Sequence, residues 1–142
     1  MVTGQAADIE FEGSENQTEE MLEYVHRHKT ADMLKAAVMA GAHIANADEA
    51  ILEKLSRYSD KMGLLFQITD DILDSTGDSA QMGKTLGKDA QKGKLTFVSL
   101  LGIEGARAAA QRTAAEAIEC LNGFEGADYL AATIEKMLIR RN

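Results

Sequence analysis

The chain has 142 residues, 45% of them hydrophobic and 27% charged, with a formal net charge of −8 and a single cysteine. That length is enough for one domain with a sizeable core, while the acidity excludes nucleic-acid phosphate as a partner, since that needs a basic face. Lone Cys120 excludes an intramolecular disulfide framework and fits a reducing cytoplasm, and no stretch has the length of an apolar membrane span or the pattern of a signal peptide.

Proline is absent, and alanine, leucine, methionine, glutamate and lysine are abundant, so an almost wholly helical, all-α chain is expected. A first helix runs to about Glu10 without a cap, like the tail of a longer one. Glu12-Gly13-Ser14 makes a turn, and Thr18 caps a second helix reaching about His28. Lys29-Thr30 interrupts it before a run from Ala31 to about Ala45. His26, His28 and His43 show no ligand spacing and read as surface or packing residues. Asn46, with Glu49 three later, resembles a capping box for a long helix ending near Thr76, where Gly77 is a stop signal. Its apolar positions Ile51, Leu52, Leu55, Tyr58, Met62, Leu65 and Phe66 recur at helical steps and form a core stripe. Beyond a basic loop, helices are expected from Thr96 to Leu101, Glu104 to Leu121 and Ala127 to Arg140, with Asn122-Gly123 between the last two. Alanines 108, 109, 110, 114 and 115 allow close helix packing, and Cys120 beside them reads as a small packing residue. No repeat or low-complexity linker appears, so residues 1–142 read as a single unit.

The segment Gly63-Leu-Leu-Phe66-Gln67-Ile-Thr-Asp70-Asp71-Ile-Leu-Asp74 sets three carboxylates and an amide inside an apolar helical pattern. Gln67, Asp70 and Asp74 share one helix face, with Asp71 beside them. Clustered like charges repel, and near a helix C-terminus the macrodipole disfavours anions. A compensating cation is the simplest remedy. Oxygen ligands with no nearby Cys or His suit magnesium or manganese rather than zinc, and the alternating acids of an EF-hand are missing. The competing reading is a solvated acidic helix end. From Asp78 to Lys94, four lysines against two aspartates and three glycines give a loop of net charge +2 in this acidic chain. Such a loop can neutralise a diphosphate beside the metal, or be a plain surface loop.

Phe66-Gln67-x-x-Asp70-Asp71-Ile-Leu-Asp74, then Gly77-Asp78, Gly83-Lys84 and Gly93-Lys94-x-Thr96-Phe97, resembles the second aspartate-rich region of the trans-prenyl diphosphate synthases, the farnesyl and geranylgeranyl diphosphate synthase family. Gly4-Gln5-x-x-Asp8 and His26-Arg27-His28-Lys29-Thr30 are similar to two further family signatures, a Gly-Gln-x-x-Asp and a His-Lys-Thr segment, in the right order. The resemblance implies the C-terminal half of an isoprenoid-synthase-type helical bundle. By that resemblance Asp70 and Asp74 bind Mg2+ (or Mn2+) against an allylic diphosphate, with Asp71 supporting the cluster. Lys29, Lys84 and Lys94 contact the diphosphate, although Leu95 to Val98 departs from the family's commoner pattern around Lys94. Lys29, Thr30 and Gln67 are the implied catalytic residues, the oxygens of Thr30 and Gln67 stabilising the allylic cation. Arg140-Arg141 resembles a basic tail that closes over the site in some members, and also suits the dipole of a helix end.

The family's first aspartate cluster and its isopentenyl diphosphate residues have no counterpart in these 142 residues. Met1 is therefore read as an internal methionine of a longer protein. The implied reaction is ionisation of an allylic diphosphate, attack by isopentenyl diphosphate and proton loss, with this chain inactive alone. It would act as a homo-oligomer or with the missing half. A non-catalytic partner subunit of a full-length synthase, or a helical remnant without a stable fold, are the alternatives.

Overall fold

The computed structural model describes residues 2–11, 18–81 and 95–140. Its helices are α1 (Val2–Phe11), α2 (Glu19–His26), a π-helical turn (Arg27–Ala31), α3 (Asp32–Ile44), α4 (Glu49–Gln81), α5 (Phe97–Glu119) and α6 (Asp128–Ile139). No strand occurs among the described residues, as expected of an all-α chain.

Most helix ends follow from local chemistry. Thr18 caps α2 as expected: its backbone is extended and its hydroxyl accepts from the Met21 amide at 3.2 Å. Thr96 likewise opens α5, in a reciprocal capping box with Ser99. The α5 region is broken at Gly102, whose φ of 69° departs from the helix between the two segments expected there.

Two expected boundaries differ. Asn46 does not cap α4. It takes a left-handed φ of 52° and ends α3, with the Asn46 amide on the His43 carbonyl and the Ala47 amide on the Ala42 carbonyl, both at 3.0 Å. The cap of α4 is Asp48, which accepts from the Ile51 amide at 2.8 Å. Two cap-forming residues two apart serve the two helices in turn, and the short window around Glu49 does not separate them. Gly77 does not stop α4 either, since the helix continues to Gln81. Glycine lowers helix propensity but does not forbid the conformation. The aspartates consequently lie upstream of the last turn, out of reach of most of the dipole effect.

α4 is the central element, packed along α5 and α3 and touching α2 and α6. Leu55, Tyr58, Met62 and Leu65 of the expected stripe are buried, with Ile51, Leu52 and Phe66 at its margin. Leu22, Ile68, Phe97 and Ile134 complete the sealed centre. On α5, Ala109, Ala110 and Ala114 face inward with Ala106 and Ala117, while Ala108 and Ala115 face solvent. Cys120 is half-buried against this core, consistent with a packing role. Buried Thr69 donates back to the Leu65 carbonyl at 2.9 Å and Ser59 to that of Leu55 at 2.7 Å, so neither hydroxyl is stranded. Among the described residues, no helix is long and apolar enough to cross a membrane.

Tyr58, fully buried, donates its hydroxyl to the Leu130 carbonyl at 3.0 Å and so ties α4 to α6. Burial pushes this phenol up to about 12 from its ordinary 10.0. The folded state therefore holds the proton more tightly than the unfolded one. The stabilisation is complete below pH ~10 and is lost as pH rises through the folded value, about 2–3 kcal/mol in all. Urea unfolding between pH 8 and 12 should show this alkaline loss. Tyr58→Phe should remove it, at a cost of about 1 kcal/mol at neutral pH from the deleted hydrogen bond.

Candidate diphosphate and metal site

The site is assembled from a turn and a helix running antiparallel beside it. α2, the π-turn and α3 form one continuous helical run, and Lys29 and Thr30 lie in the turn. The expected interruption is thus a change of helical register rather than a break: the Asp32 amide reaches the Arg27 carbonyl five residues back. Three contacts fix how this run meets α4. Asp60 takes Lys35 at 2.7 Å and Arg27 at 3.9 Å. Gly63 lies against Ala31, so closely that a Cβ on Gly63 would fall 2.4 Å from the Ala31 Cβ and 2.8 Å from its Cα. Asp71 meets His26 at 3.3 Å. In this antiparallel register, buried Gln67 lies along α4 between Gly63 and Asp71, at the level of the π-turn.

α1 approaches the same turn from another side. A Cβ on Gly4 would sit 2.2 Å from the Lys29 nitrogen and 2.4 Å from the His28 carbonyl carbon, so only glycine allows the contact. One helical turn on, Asp8 receives the Lys29 ammonium at 2.6 Å. The Gly4-x-x-x-Asp8 spacing therefore couples a close backbone approach to a carboxylate that aims Lys29. Lys29 is one-third exposed and Asp8 about one-fifth, so the pair is partly shielded and its lysine stays accessible. The sequence signal was the motif itself, but the partnership with Lys29 was not foreseen.

The three aspartates have different surroundings. Asp71 is nearly buried, with 11% of its side chain exposed. Its Oδ2 accepts from the Phe97 amide at 2.8 Å as well as from His26. That amide is one of the orphan donors opening α5, where a negative charge is favoured. Asp70 is 44% exposed and lies 3.6 Å from the Arg140 guanidinium, which also stands 5.4 Å over the Phe66 ring. Asp74 is exposed on the same face of α4 as Asp70. The charge compensation expected of a metal is thus supplied in part by the protein: an α5 N-terminus for Asp71 and an arginine for Asp70. Arg140 lies just past α6, so it meets a carboxylate of the site and does not merely satisfy a helix dipole.

Among the described residues, no three carboxylate, histidine or cysteine side chains converge as a ready-made metal cage. The donor chemistry nevertheless fits magnesium. Asp70 and Asp74 offer hard oxygens one turn apart on an accessible face, and magnesium is usually held by one or two carboxylates plus water and phosphate. Lys84, Lys94 and Arg141 lie outside the described residues.

The polyprenyl synthetase family model matches residues 1–137. The chain belongs to the polyprenyl synthetase family. Among its relatives is a chloroplastic geranylfarnesyl diphosphate synthase of Leucosceptrum canum, 46% identical over 128 residues, covering 88% of this chain and 35% of that one. Among solved structures, the geranyltransferase of Helicobacter pylori, determined with magnesium and isoprenyl diphosphate, is 36% identical. It superimposes with a TM-score of 0.76 over 97% of this chain and 45% of its own. A decaprenyl diphosphate synthase from Rhodobacter capsulatus, 24% identical, shares the fold with a TM-score of 0.86, covering 99% of this chain and 56% of that one. The all-α prenyl synthase fold expected from the sequence is therefore established. The chain spans about a third of the length of the curated relatives it matches.

Gly4→Ala should be disruptive out of proportion to its size, because the atoms in its way are backbone. We expect a loss of about 1–3 kcal/mol in chemical unfolding, with faster amide exchange at Lys29. Gly41→Ala, which meets nothing within 4 Å, serves as the control and should be neutral or mildly stabilising.

Proposed function

We propose that this chain supplies one diphosphate–metal half-site of a prenyltransferase that elongates an allylic diphosphate with isopentenyl diphosphate, of the farnesyl or geranylgeranyl type. The observation that carries the reading is the antiparallel packing of α4, which bears Asp70 and Asp74, against the helical run that bears Lys29 and Thr30, in a chain matched over residues 1–137 by the family model. Asp70 and Asp74 would hold a magnesium ion (manganese is chemically equivalent here), with Asp71 supporting them. Bound there, the ion would supply positive charge against the leaving diphosphate.

The chain's own groups do the rest. Lys29, aimed by Asp8, neutralises diphosphate oxygens, and we assign Lys84 and Lys94 the same part. Thr30 and Gln67 present neutral oxygens to the developing allylic cation, stabilising it without capturing it. Arg140 pairs with Asp70 in this structure and becomes available to the diphosphate once Asp70 takes a metal. Placing fixed charge where charge develops is the main catalytic device available to such a site. The first aspartate cluster and the isopentenyl diphosphate contacts would come from the remainder of a full-length synthase or from a second polypeptide, so we infer that this chain makes no product alone. We infer a single structural unit and, from the lone cysteine, a reducing cytoplasmic setting.

Thermal unfolding of the purified chain tests this. Magnesium together with an allylic diphosphate analogue should raise the transition where neither does so alone. At ligand near a hundred times its dissociation constant, the gain is about 2.7 kcal/mol. Asp70→Asn should abolish it. A transition indifferent to the pair of ligands would overturn the reading, and prenyl product from the chain alone would overturn the half-site assignment.

A further inference from the structure

His26 takes no part in the reaction outlined above, yet it is among the most enclosed polar residues of the fold, 7% exposed on the inner face of α2. Because a carboxylate only accepts, its bond to Asp71 at 3.3 Å must be donated from Nε2. That places a proton on Nε2 and leaves Nδ1 buried with no hydrogen-bond partner. Its ring stacks on Phe97, centroids 5.7 Å apart and planes 15° from parallel. Phe97 in turn gives its amide to the same Asp71 oxygen, at 2.8 Å. Three segments meet at this point. His26 immediately precedes the turn carrying Lys29 and Thr30, Asp71 adjoins Asp70 on α4, and Phe97 begins α5. An unpartnered ring nitrogen has a cost in a core, and a leucine of similar size would avoid it. The compensation lies in what Nε2 holds.

We propose that His26 is a positioning residue that, by gripping Asp71 together with the Phe97 amide, sets the distance between Lys29 and the Asp70–Asp74 face. On this account Asp71 is a strut rather than a metal ligand, and coordination falls to its neighbours on either side. The inference rests on the diphosphate–metal reading given above. A pure packing role for His26 would place no demand on Nε2, so an apolar ring or branch would serve as well. A positioning role demands a donor at that point. The two differ most for a ligand that bridges Lys29 to the aspartates, and least for a metal ion bound by the aspartates alone.

The test uses the full chain with Mn2+ and inorganic pyrophosphate. Free and bound Mn2+ are followed by electron paramagnetic resonance, and pyrophosphate binding by calorimetry. His26→Leu should leave Mn2+ binding without pyrophosphate unchanged, yet weaken pyrophosphate binding in the presence of Mn2+ by about tenfold or more. His26→Gln, whose amide nitrogen can stand near the position of Nε2, should restore most of that loss. His26→Phe, which keeps a ring but no donor, should behave as the leucine variant does, and provides a second probe if that variant does not fold. Full pyrophosphate affinity in His26→Leu overturns the proposal while leaving the half-site intact. Failure of glutamine to rescue also overturns it. No pyrophosphate binding by the unsubstituted chain overturns the half-site reading itself, and this inference with it.

Discussion

The arrangement of this site depends on how closely two stretches of backbone can approach. At Gly63 the α4 helix meets Ala31 with no room for a side chain, and at Gly4 the first helix meets the Lys29 peptide in the same way. Between these two contacts the run from α2 to α3 takes up its π-turn. A π-turn accommodates an extra residue in the helical ladder and turns its side chains out of the ordinary register. Here those residues include Lys29 and Thr30. The glycines therefore matter as spacers: they let a cationic turn lie against a helix whose next turns carry carboxylates.

Electrostatics then separates three aspartates that look equivalent in sequence. Asp71 is drawn inward by a helix N-terminus and a histidine, Asp70 is balanced at the surface by Arg140, and Asp74 stands exposed one turn further along. A surface pair at 3.6 Å contributes little to stability, so Arg140 can be displaced from Asp70 at low cost. The buried strut is different. Removing one partner there leaves a desolvated polar group, the costly case for an interior hydrogen bond. One end of the cluster is thus built to stay fixed and the other to exchange partners, which is what a site that takes and releases a charged ligand requires.

What the sequence reveals and what it hides divides along the range of the interactions. Thr18 was legible as a cap because its bond closes within three residues, whereas Thr96 was expected only as the first residue of a short helix. The α4 core stripe and the inward alanines were legible because helical periodicity orders them. Asn46 was misassigned because Asp48 competes for the same role two residues on, and Gly77 because a single glycine only weakens a helix. The candidate metal and phosphate residues stood out as motifs, yet the reason Asp71 differs from Asp70 lies in a histidine 45 residues away and an amide 26 residues away. His26 left one trace: it shares the inner face of α2 with Leu22 and Val25. An interruption at Lys29-Thr30 was legible but its form as a π-turn was not, since nothing in Arg27-His28-Lys29-Thr30-Ala31 opposes an ordinary α-helix and the change of register accompanies the contacts with Gly4 and Gly63.

The most direct test of the account is anomalous diffraction from crystals of this chain grown with Mn2+ and pyrophosphate. The account predicts a manganese peak against the Asp70 and Asp74 carboxylates, pyrophosphate reaching Lys29, and Asp71 still bonded to His26 and the Phe97 amide. Manganese held by Asp71, or pyrophosphate bound away from the π-turn, would contradict it.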